Sequence, residues 1–350
     1  MLKYEITQDF CGGNILVESI SENYAKVKIN YRDSEPWCYW AFKVKGASGC
    51  KITFDFGEDA VGYFGPAVSH DLIDWHWSEP DRYKYDEKDR FSFEYEFSED
   101  EDEVYFAHNC LYTPENFKKL DFLKQCVFCA DSDGTECPMG EMGDGEKIIL
   151  LTARHHACEA PANYVLEGVL KELKDKHLKG YKIVTVPFMD TRGVVCGDQG
   201  KGRMPHDHNR DYIADSIYPT VKRMKEFLEV SNVKYVFDFH SPCHLGGGNN
   251  LMSLVNAYEK FRDKMNLFSS LFSDEISDNG FKFTDGVITW RPEPLEGSFS
   301  AYVGGIEQVN FVATIECPYF GEEDNRMTPD RYIETGRAFA RAIIKFTDIF

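Results

Sequence analysis

The amino-acid sequence predicts an α/β fold in which a mixed, mostly parallel sheet with helices on both faces follows an N-terminal antiparallel β-sandwich domain. Up to about residue 125, short segments alternate polar with apolar or β-branched residues and are separated by Gly, Asp, Ser and Pro, which is typical of a sandwich. Beyond about residue 130, apolar strands alternate with helical patterns, which indicates βαβ units. In a chain of 350 residues we therefore predict a β-sandwich over residues 1–130 and an α/β domain over residues 131–350.

The alternating pattern of half-buried strands recurs along the first region. It covers residues 25–31, 38–46, 50–57, 91–98 and 104–109. Aromatic residues are also concentrated in the first 120 residues, which further distinguishes this region from the rest of the chain.

The second region combines short apolar runs with three- and four-residue periodicity. We predict strands at 147–153, 181–188, 233–240 and 310–316, and helices at 160–176, at about 213–229, at about 255–275 and from Thr328 to the end. Thr328 can cap the last helix and Pro329 fits its first turn. The segment 130–146 is rich in Gly, Asp and Pro, which predicts a connection rather than a strand.

Charge and composition argue against several classes of partner. The net charge of −20 and the pI near 4.9 disfavour a nucleic-acid binder, which needs a basic face, and provide no polybasic membrane anchor. No apolar run is long enough to span a membrane, and residues 1–13 lack the apolar region of a signal peptide. The 11 cysteines have no framework spacing, so we expect reduced thiols and a cytoplasmic location. The oligomeric state stays open.

A His-x-x-Glu pattern directly follows the apolar strand 147–153. Its residues, His156 and Glu159, would lie at the carboxyl end of a parallel strand, where α/β proteins bind ligands. Imidazole and carboxylate are natural zinc ligands, and two His with one Glu form a known catalytic set. The spacing alone carries little weight, because His76 and Glu79 share it within the β region.

Two further strands end in the same kind of residue. The strand 233–240 ends in His240, which could complete three zinc ligands with His156 and Glu159. The strand 310–316 ends in Glu316, a candidate general base. Three apolar strands ending in His, Glu or both are much harder to obtain by chance than one, so we predict a zinc site at this sheet edge.

Asn209 and Arg210 form a third candidate element. A planar guanidinium can hold a carboxylate through two parallel hydrogen bonds, as an enzyme that recognises a free C-terminus requires. Taken alone, the dipeptide is better explained as a surface Arg beside a turn Asn.

These motifs resemble those of the M14 metallocarboxypeptidases, in particular the cytosolic carboxypeptidase branch and its bacterial relatives. The resemblance rests on residues 152–159, 207–210, 237–244 and 313–321, and on the N-terminal segments 36–42, 64–77 and 102–120. It implies that residues 131–350 form a catalytic domain holding one zinc ion per chain, which hydrolyses a C-terminal amide or peptide bond.

The resemblance also implies a role for each matched residue. His156, Glu159 and His240 would bind zinc, and Glu316 would be the general base for the attacking water. Asn209 and Arg210 would bind the terminal carboxylate of a peptide or small carboxylate-bearing substrate. Asp207 would orient His156 through its other ring nitrogen.

The sequence departs from the family pattern at several positions. The family's His-Pro-Gly-Glu is His-Ala-Cys-Glu here, with the ligand spacing retained. Lys201 and Arg203 are both candidates for the family's oxyanion-stabilising cation. The segment 296–302 lacks the Arg that favours acidic substrates in the cytosolic branch, and Tyr302 is a candidate for the mobile active-site tyrosine.

Three alternatives remain at this level. A deacylase or amidohydrolase acting on a small carboxylate-bearing molecule would use the same metal and base. A metal-free binding protein would retain only a relic of the site. Cys126 and Cys129 could serve a zinc or redox role, although no second Cys pair stands at finger spacing. His206, His208 and His244 are expected to line a pocket or to lie on the surface.

Overall fold

A computed structural model describes residues 4–34, 36–79, 90–176, 178–242, 251–256, 258–277, 288–290, 295–323 and 325–349. Its N-terminal part contains β1 (Glu5–Thr7), β2 (Leu16–Ile20), β3 (Tyr24–Lys28), β4 (Ala41–Lys45), β5 (Lys51–Asp55), β6 (Ala67–Ser69), β7 (His76–Trp77), β8 (Ser92–Glu96), β9 (Glu103–Ala107) and α1 (Pro114–Lys118). Among these residues the strands form two sheets, in the orders β1-β4-β9-β6-β7 and β2-β3-β5-β8.

The two N-terminal sheets enclose a core rich in aromatic side chains. Trp40, Phe42, Phe54, Phe93 and Phe106 are almost fully buried there and contact one another. They alternate with outward-facing residues along their strands, which is why the sequence pattern identified this part. The predicted β-sandwich is confirmed, with one difference: β3 and β5 pair in parallel, while the other described pairs are antiparallel.

The rest of the chain forms a larger sheet and the helices that pack with it. Its elements are β10 (Lys124–Ala130), β11 (Glu136–Met142), β12 (Lys147–Ala153), α2 (Ala160–Leu173), β13 (Tyr181–Val186), α3 (Thr191–Cys196), α4 (Pro219–Val230), β14 (Val233–His240), β15 (Ser253–Asn256), α5 (Arg262–Ser277), β16 (Ile288–Trp290), α6 (Phe299–Gly304), β17 (Phe311–Glu316), β18 (Gly321–Glu322), β19 (Asn325–Arg326) and α7 (Pro329–Ile349). Within the described ranges, the sheet order is β10-β11-β13-β12-β14-β17-β15-β16.

The large sheet is mixed, as the sequence predicts. Parallel pairing joins β13, β12, β14 and β17 at its centre and β15 to β16. The pairs β10–β11, β11–β13 and β15–β17 are antiparallel. The central strands are buried along nearly their whole length, which explains their continuous apolar sequences. The predicted fold class is therefore confirmed.

The segment 130–146 contains a strand, so its prediction as a connection is wrong. Strand β11 pairs with β10 on one side and with β13 on the other. Pro138 and Gly140 weaken the local strand signal, and only this two-sided pairing stabilises the extended conformation. A Cβ on Gly140 would lie 3.0 Å from the side chains of Phe117 and Leu123, so the glycine permits close packing there.

The domain boundary near residue 130 stays a prediction. Strand β10 precedes that boundary, but it belongs to the large sheet because it pairs with β11. The helix predicted from about residue 255 starts at Arg262, because residues 253–256 form strand β15, which pairs with β17 on one side and β16 on the other.

Helices α2 and α7 pack closely against each other, and α7 also packs against α5. A Cβ on Gly168 would lie 2.0 Å from the Ile333 carbonyl oxygen, and one on Gly336 would lie 2.0 Å from the Val165 carbonyl oxygen. The two glycines therefore allow the helix backbones to touch. No helix among the described residues is long and apolar enough to cross a membrane.

Strand register places the predicted site. His240 and Glu316 are direct partners at the carboxyl ends of β14 and β17. Ala153 ends β12 beside Phe239 of β14, so the loop that follows β12 emerges at the same edge. The residues that the sequence singled out thus converge at the carboxyl edge of the parallel strands.

Candidate active site

A buried arginine shapes the loop between β12 and α2. Arg154 has a positive φ of 58°, and its Nε donates to the Ala157 carbonyl at 2.8 Å. Its Nη1 donates to the Tyr112 carbonyl at 3.1 Å and to Asn163 Oδ1 at 3.0 Å. These bonds close a tight turn that brings His156 and Glu159 to the sheet edge, a role that the sequence analysis missed.

The three predicted zinc ligands meet at one point. His156 Nδ1 lies 2.9 Å from Glu159 Oε1, and His240 Nδ1 lies 2.8 Å from Glu159 Oε2. All three side chains are buried, and one ligand atom from each lies within 4.8 Å of the others. Two imidazole nitrogens and a carboxylate facing one another fit a three-ligand metal site in donor type and spacing.

The other ring nitrogen of each histidine faces a carboxylate. His240 Nε2 lies 2.8 Å from Asp238 Oδ2, and His156 Nε2 lies 3.7 Å from Asp207 Oδ1. The contact with Asp238 is a hydrogen bond of the kind that fixes the orientation and tautomer of a ligating imidazole, whereas the contact with Asp207 is longer than a hydrogen bond. Asp238 was missed in the sequence, although its position two residues before His240 on β14 places both side chains on one face.

Asp238 also connects His240 to a second buried histidine. His155 Nδ1 lies 3.0 Å from Asp238 Oδ1, and its Nε2 lies 2.9 Å from the Tyr212 hydroxyl. His155, Asp238 and His240 are a second group whose atoms could hold a metal, and His240 is common to both groups. Burial alone would raise the pKa of Asp238, but the two imidazoles hold it well below the ordinary value.

Nearby side chains offset the effect of burial on the pKa of two carboxyl groups in the cluster. Burial would raise the pKa of Glu159, yet His156, Lys201 and His240 together keep it well below the ordinary carboxyl value. Burial would likewise raise the pKa of Asp207, but His156 lowers it to about 2. Both carboxylates are therefore ionised at neutral pH.

The two candidate cations differ in their surroundings. Lys201 Nζ lies 2.7 Å from Glu159 Oε1. Burial would lower the pKa of Lys201, but the negative charge of Glu159 raises it, so the ammonium is retained. The guanidinium of Arg203 instead contacts three carboxylates at 2.7 to 2.9 Å, those of Asp33, Asp190 and Asp198.

Glu316 lies beside the three candidate ligands without joining them. Its Oε2 atom is enclosed and has no hydrogen-bond partner among the described residues. Burial raises its pKa above the ordinary carboxyl value, and the nearby charge of Glu159 adds to this effect. An enclosed carboxylate oxygen with spare accepting capacity is suited to receive a proton.

Asn209 and Arg210 lie on a short 3₁₀ helix, His208–Arg210. Asn209 Oδ1 accepts from the backbone N–H of Phe299 at 3.0 Å, which ties this turn to the start of α6. Arg210 Nη1 donates to the Asn209 carbonyl at 2.7 Å. Both side chains face the same cavity as the histidine cluster.

A cavity of about 680 Å³ collects all the predicted site residues. Its lining includes His156, Glu159, Asp207, Asn209, Arg210, His240 and Glu316, together with Lys201 and Arg203. The volume is in the range of small-ligand and peptide-end sites. Several neutral side chains, among them Val255, Val312 and Thr314, line it as well.

The sequence also singled out Tyr302 and three further histidines. The ring of Tyr302 packs at a tilt against Tyr212, with 5.7 Å between the ring centroids, and Tyr302 is not among the lining residues, whereas Tyr258 is. His206 lines the cavity, and His208 stacks on Tyr218. His244 lies outside the described residues.

The alternative zinc role of Cys126 and Cys129 finds no support among the described residues. They lie on β10, where Cys126 is exposed and Cys129 is paired in register with Cys137. Neither is part of a possible metal-holding group among the residues that the structure describes.

Several proteins that are similar to this chain are named carboxypeptidases. No family model matches the chain. Cytosolic carboxypeptidase 6 of Homo sapiens is 21% identical over 225 residues, which cover 58% of this chain and 44% of that protein. The protein of the same name from Caenorhabditis elegans is 27% identical over 228 residues, covering 57% of this chain and 49% of that protein. The chain thus aligns with less than half of each of these two relatives.

Two solved structures share the fold over nearly the whole chain. A metallo-carboxypeptidase from Burkholderia cenocepacia has a TM-score of 0.80 at 18% identity, covering 99% of this chain and 100% of that one. A metallo-carboxypeptidase from Pseudomonas aeruginosa in complex with (2-guanidinoethylmercapto)succinic acid has a TM-score of 0.78 at 18% identity, covering 98% and 99%. At such identities the likeness shows the fold.

Proposed function

We propose that the chain is a zinc-dependent carboxypeptidase of the M14 metallocarboxypeptidase kind that removes a residue from a free C-terminus. One observation carries the proposal. A single cavity holds a His-Glu-His cluster, a carboxylate with an unpartnered oxygen and an arginine. Metal, base and carboxylate anchor are the three parts that this reaction requires.

His156, Glu159 and His240 would hold the zinc ion, with Asp207 and Asp238 orienting the two imidazoles. When bound in such a site, zinc polarises the scissile carbonyl and lowers the pKa of a water molecule from about 15.7 towards 7. The donor set supports this metal, because two imidazoles and one carboxylate leave a coordination position open.

Glu316 would take the proton from the attacking water and deliver it to the leaving amine. Its Oε2 has no competing hydrogen-bond donor among the described residues. The β14–β17 register supports this role, because Glu316 pairs with His240 but is not among the side chains that could hold a metal. The raised pKa makes the protonated form accessible after the first step, as the return of the proton requires.

Arg210 and Asn209 would bind the terminal carboxylate of the substrate. A guanidinium can form two parallel, charge-assisted hydrogen bonds with a carboxylate, and an amide N–H can add a third. This anchor would make the enzyme an exopeptidase, because an internal peptide bond offers no carboxylate at that distance from the reacting carbonyl.

Lys201 is the better candidate for the cation that stabilises the oxyanion. Its ammonium lies in the cavity next to Glu159, whereas the guanidinium of Arg203 is neutralised by three aspartates. A positioned donor of this kind is worth roughly 3 kcal/mol of transition-state stabilisation. We also propose a cytoplasmic location and a peptide or small carboxylate-bearing substrate, with no nucleic-acid or membrane partner.

Metal analysis and hydrolysis assays test the proposal together. Purified protein should contain about one zinc per chain and release the C-terminal residue of an N-blocked dipeptide. His156→Ala and His240→Ala should each lose zinc and activity. His76→Ala is the matched control, because His76 has the same spacing to a glutamate but lies on β7 in the N-terminal sandwich. Unchanged zinc content in the first two variants would refute the ligand assignment.

The substrate panel separates a peptidase from a deacylase. An acetylated amino acid and a blocked dipeptide share the carboxylate that Arg210 would hold, but only the second contains a peptide bond between two residues. Hydrolysis of the first alone would contradict the peptidase proposal while leaving the metal site in place.

A further inference from the structure

Pro36 and Trp37 of the N-terminal sandwich line the cavity. Their neighbours Arg32, Asp33 and Tyr39 contact the loop 197–203, which carries Lys201. The geometry points to Asp33 as the positioning residue that holds this loop and presents Lys201 to the site. This inference rests on the proposed function for the role of Lys201, but the contacts that carry it are independent of that role.

The carboxylate of Asp33 accepts hydrogen bonds from the loop on both sides of Lys201. Asp33 Oδ1 accepts from the backbone N–H of Gln199 at 3.1 Å, and Oδ2 accepts from that of Gly200 at 3.0 Å. Oδ2 also accepts from Arg203 Nε at 2.9 Å. One side chain therefore fixes two residues directly before Lys201 and a third shortly after it.

The Gln199 side chain adds a second attachment to the sandwich. Its Oε1 accepts from the backbone N–H of Tyr39 at 2.8 Å, and its Nε2 donates to the Tyr39 carbonyl at 2.7 Å. This pairing reproduces the hydrogen bonds of a strand neighbour, so the loop cannot shift without breaking buried bonds.

The opposite side of the loop lies on the metal-ligand turn. The Gln199 carbonyl accepts from the backbone N–H of Cys158 at 3.0 Å. A Cβ on Gly200, whose φ is +75°, would lie 2.2 Å from the Ala157 backbone nitrogen. The loop is thus held between Asp33 and the turn that carries His156 and Glu159. At position 200 there is no room for a side chain.

Lys201 continues this chain of contacts into the cavity. Its Nζ lies 4.6 Å from the centroid of the Trp37 ring, 3.3 Å from the Ser241 carbonyl and 2.7 Å from Glu159 Oε1. Both Trp37 and Asp33 come from the N-terminal sandwich. Asp33 holds the backbone next to Lys201, and the Trp37 ring lies against the Lys201 ammonium. The sandwich would then be part of the active site rather than an appended module.

Asp33→Asn tests the inference with little change in shape. The amide keeps one acceptor but directs an NH₂ group at either an N–H of the loop or the guanidinium of Arg203. We expect zinc content to be unchanged, KM to change little and kcat to fall by about tenfold to a hundredfold, because a displacement of about 1 Å can cost on the order of a hundredfold. Amide hydrogen exchange of residues 197–203 should become faster.

Asp71→Asn is the matched control. Asp71 Oδ1 also accepts from two backbone N–H groups, those of Ile73 and Asp74, each at 2.8 Å, but it lies on a loop of the sandwich that does not line the cavity. This variant should leave kcat and the exchange of residues 197–203 unchanged.

A double-mutant cycle decides whether Asp33 acts through Lys201. If it does, Asp33→Asn should lower kcat little further in the Lys201→Ala background. The same loss in both backgrounds, or unchanged hydrogen exchange in Asp33→Asn, would overturn the inference. If the wild type hydrolyses no peptide, the proposed function fails, while the exchange measurement still decides whether Asp33 holds the loop.

Discussion

Replacing Glu316 by Gln separates the proposed base from the proposed metal ligands. The amide has nearly the same shape as the carboxylate, but it cannot accept a proton at neutral pH. Glu316 is not among the described side chains whose atoms could hold a metal ion together. We therefore expect Glu316→Gln to keep its zinc and its fold while losing hydrolysis.

The expected size of the loss follows from the role and the surroundings of Glu316. General-base catalysis contributes about 10²- to 10⁴-fold, which corresponds to roughly 3–5 kcal/mol in the activation free energy. We expect a loss of kcat near the upper end of this range, because Oε2 is enclosed and no described side chain donates a hydrogen bond to it. Since burial raises the pKa of Glu316, a neutral amide there should not lower the free energy of unfolding.

The measurement combines zinc content, unfolding by denaturant and the kcat for release of a C-terminal residue. The exposed Glu307, which precedes β17, provides the control Glu307→Gln with the same chemical change outside the cavity. Retention of more than a tenth of wild-type kcat by Glu316→Gln would refute the assignment of the base. Loss of zinc would instead place Glu316 among the ligands.

Three further predictions address the anchor, the metal and the helix packing. Arg210→Gln should raise KM for a blocked dipeptide by about ten- to a hundredfold, because it removes charge-assisted hydrogen bonds worth roughly 1.5–3 kcal/mol; an unchanged KM would contradict the anchor role. Treatment with a zinc chelator should abolish hydrolysis and lower the melting temperature, and added zinc should restore both; activity that survives complete metal removal would contradict a metal-dependent reaction. Gly168→Ala should lower the free energy of unfolding by about 1–3 kcal/mol with kcat retained, because its Cβ would lie 2.0 Å from the Ile333 carbonyl oxygen; unchanged stability would show that α2 and α7 can separate freely.

The fold could be predicted well because its signals are local. Strands β12, β14 and β17 are buried and nearly continuously apolar, and the strands of the sandwich alternate, so periodicity alone distinguishes the two regions. Strand β11 escaped prediction because Pro138 and Gly140 obscure its pattern and its stability comes from its neighbours. The alternating sequence pattern is absent in β11, whose extended conformation depends on pairing with β10 and β13.

The candidate site could be predicted in its residues but not in its connections. His156, Glu159, His240 and Glu316 stand at the ends of recognisable strands, and parallel strands end at one sheet edge, so their convergence was foreseeable. Arg154 was missed, because its role depends on a backbone turn and on carbonyls far away in the sequence.

By itself, the sequence determined which strand ends carry the candidate metal ligands and the candidate base, because these residues adjoin the apolar patterns that form the strands. Only the tertiary structure decided which cation is available to the site. Lys201 and Arg203 are two residues apart and both cationic, yet Asp33, Asp190 and Asp198 surround Arg203 and leave Lys201 beside Glu159. Those aspartates come from segments up to about 170 residues away, and the charge that each cation meets is fixed only when the chain folds.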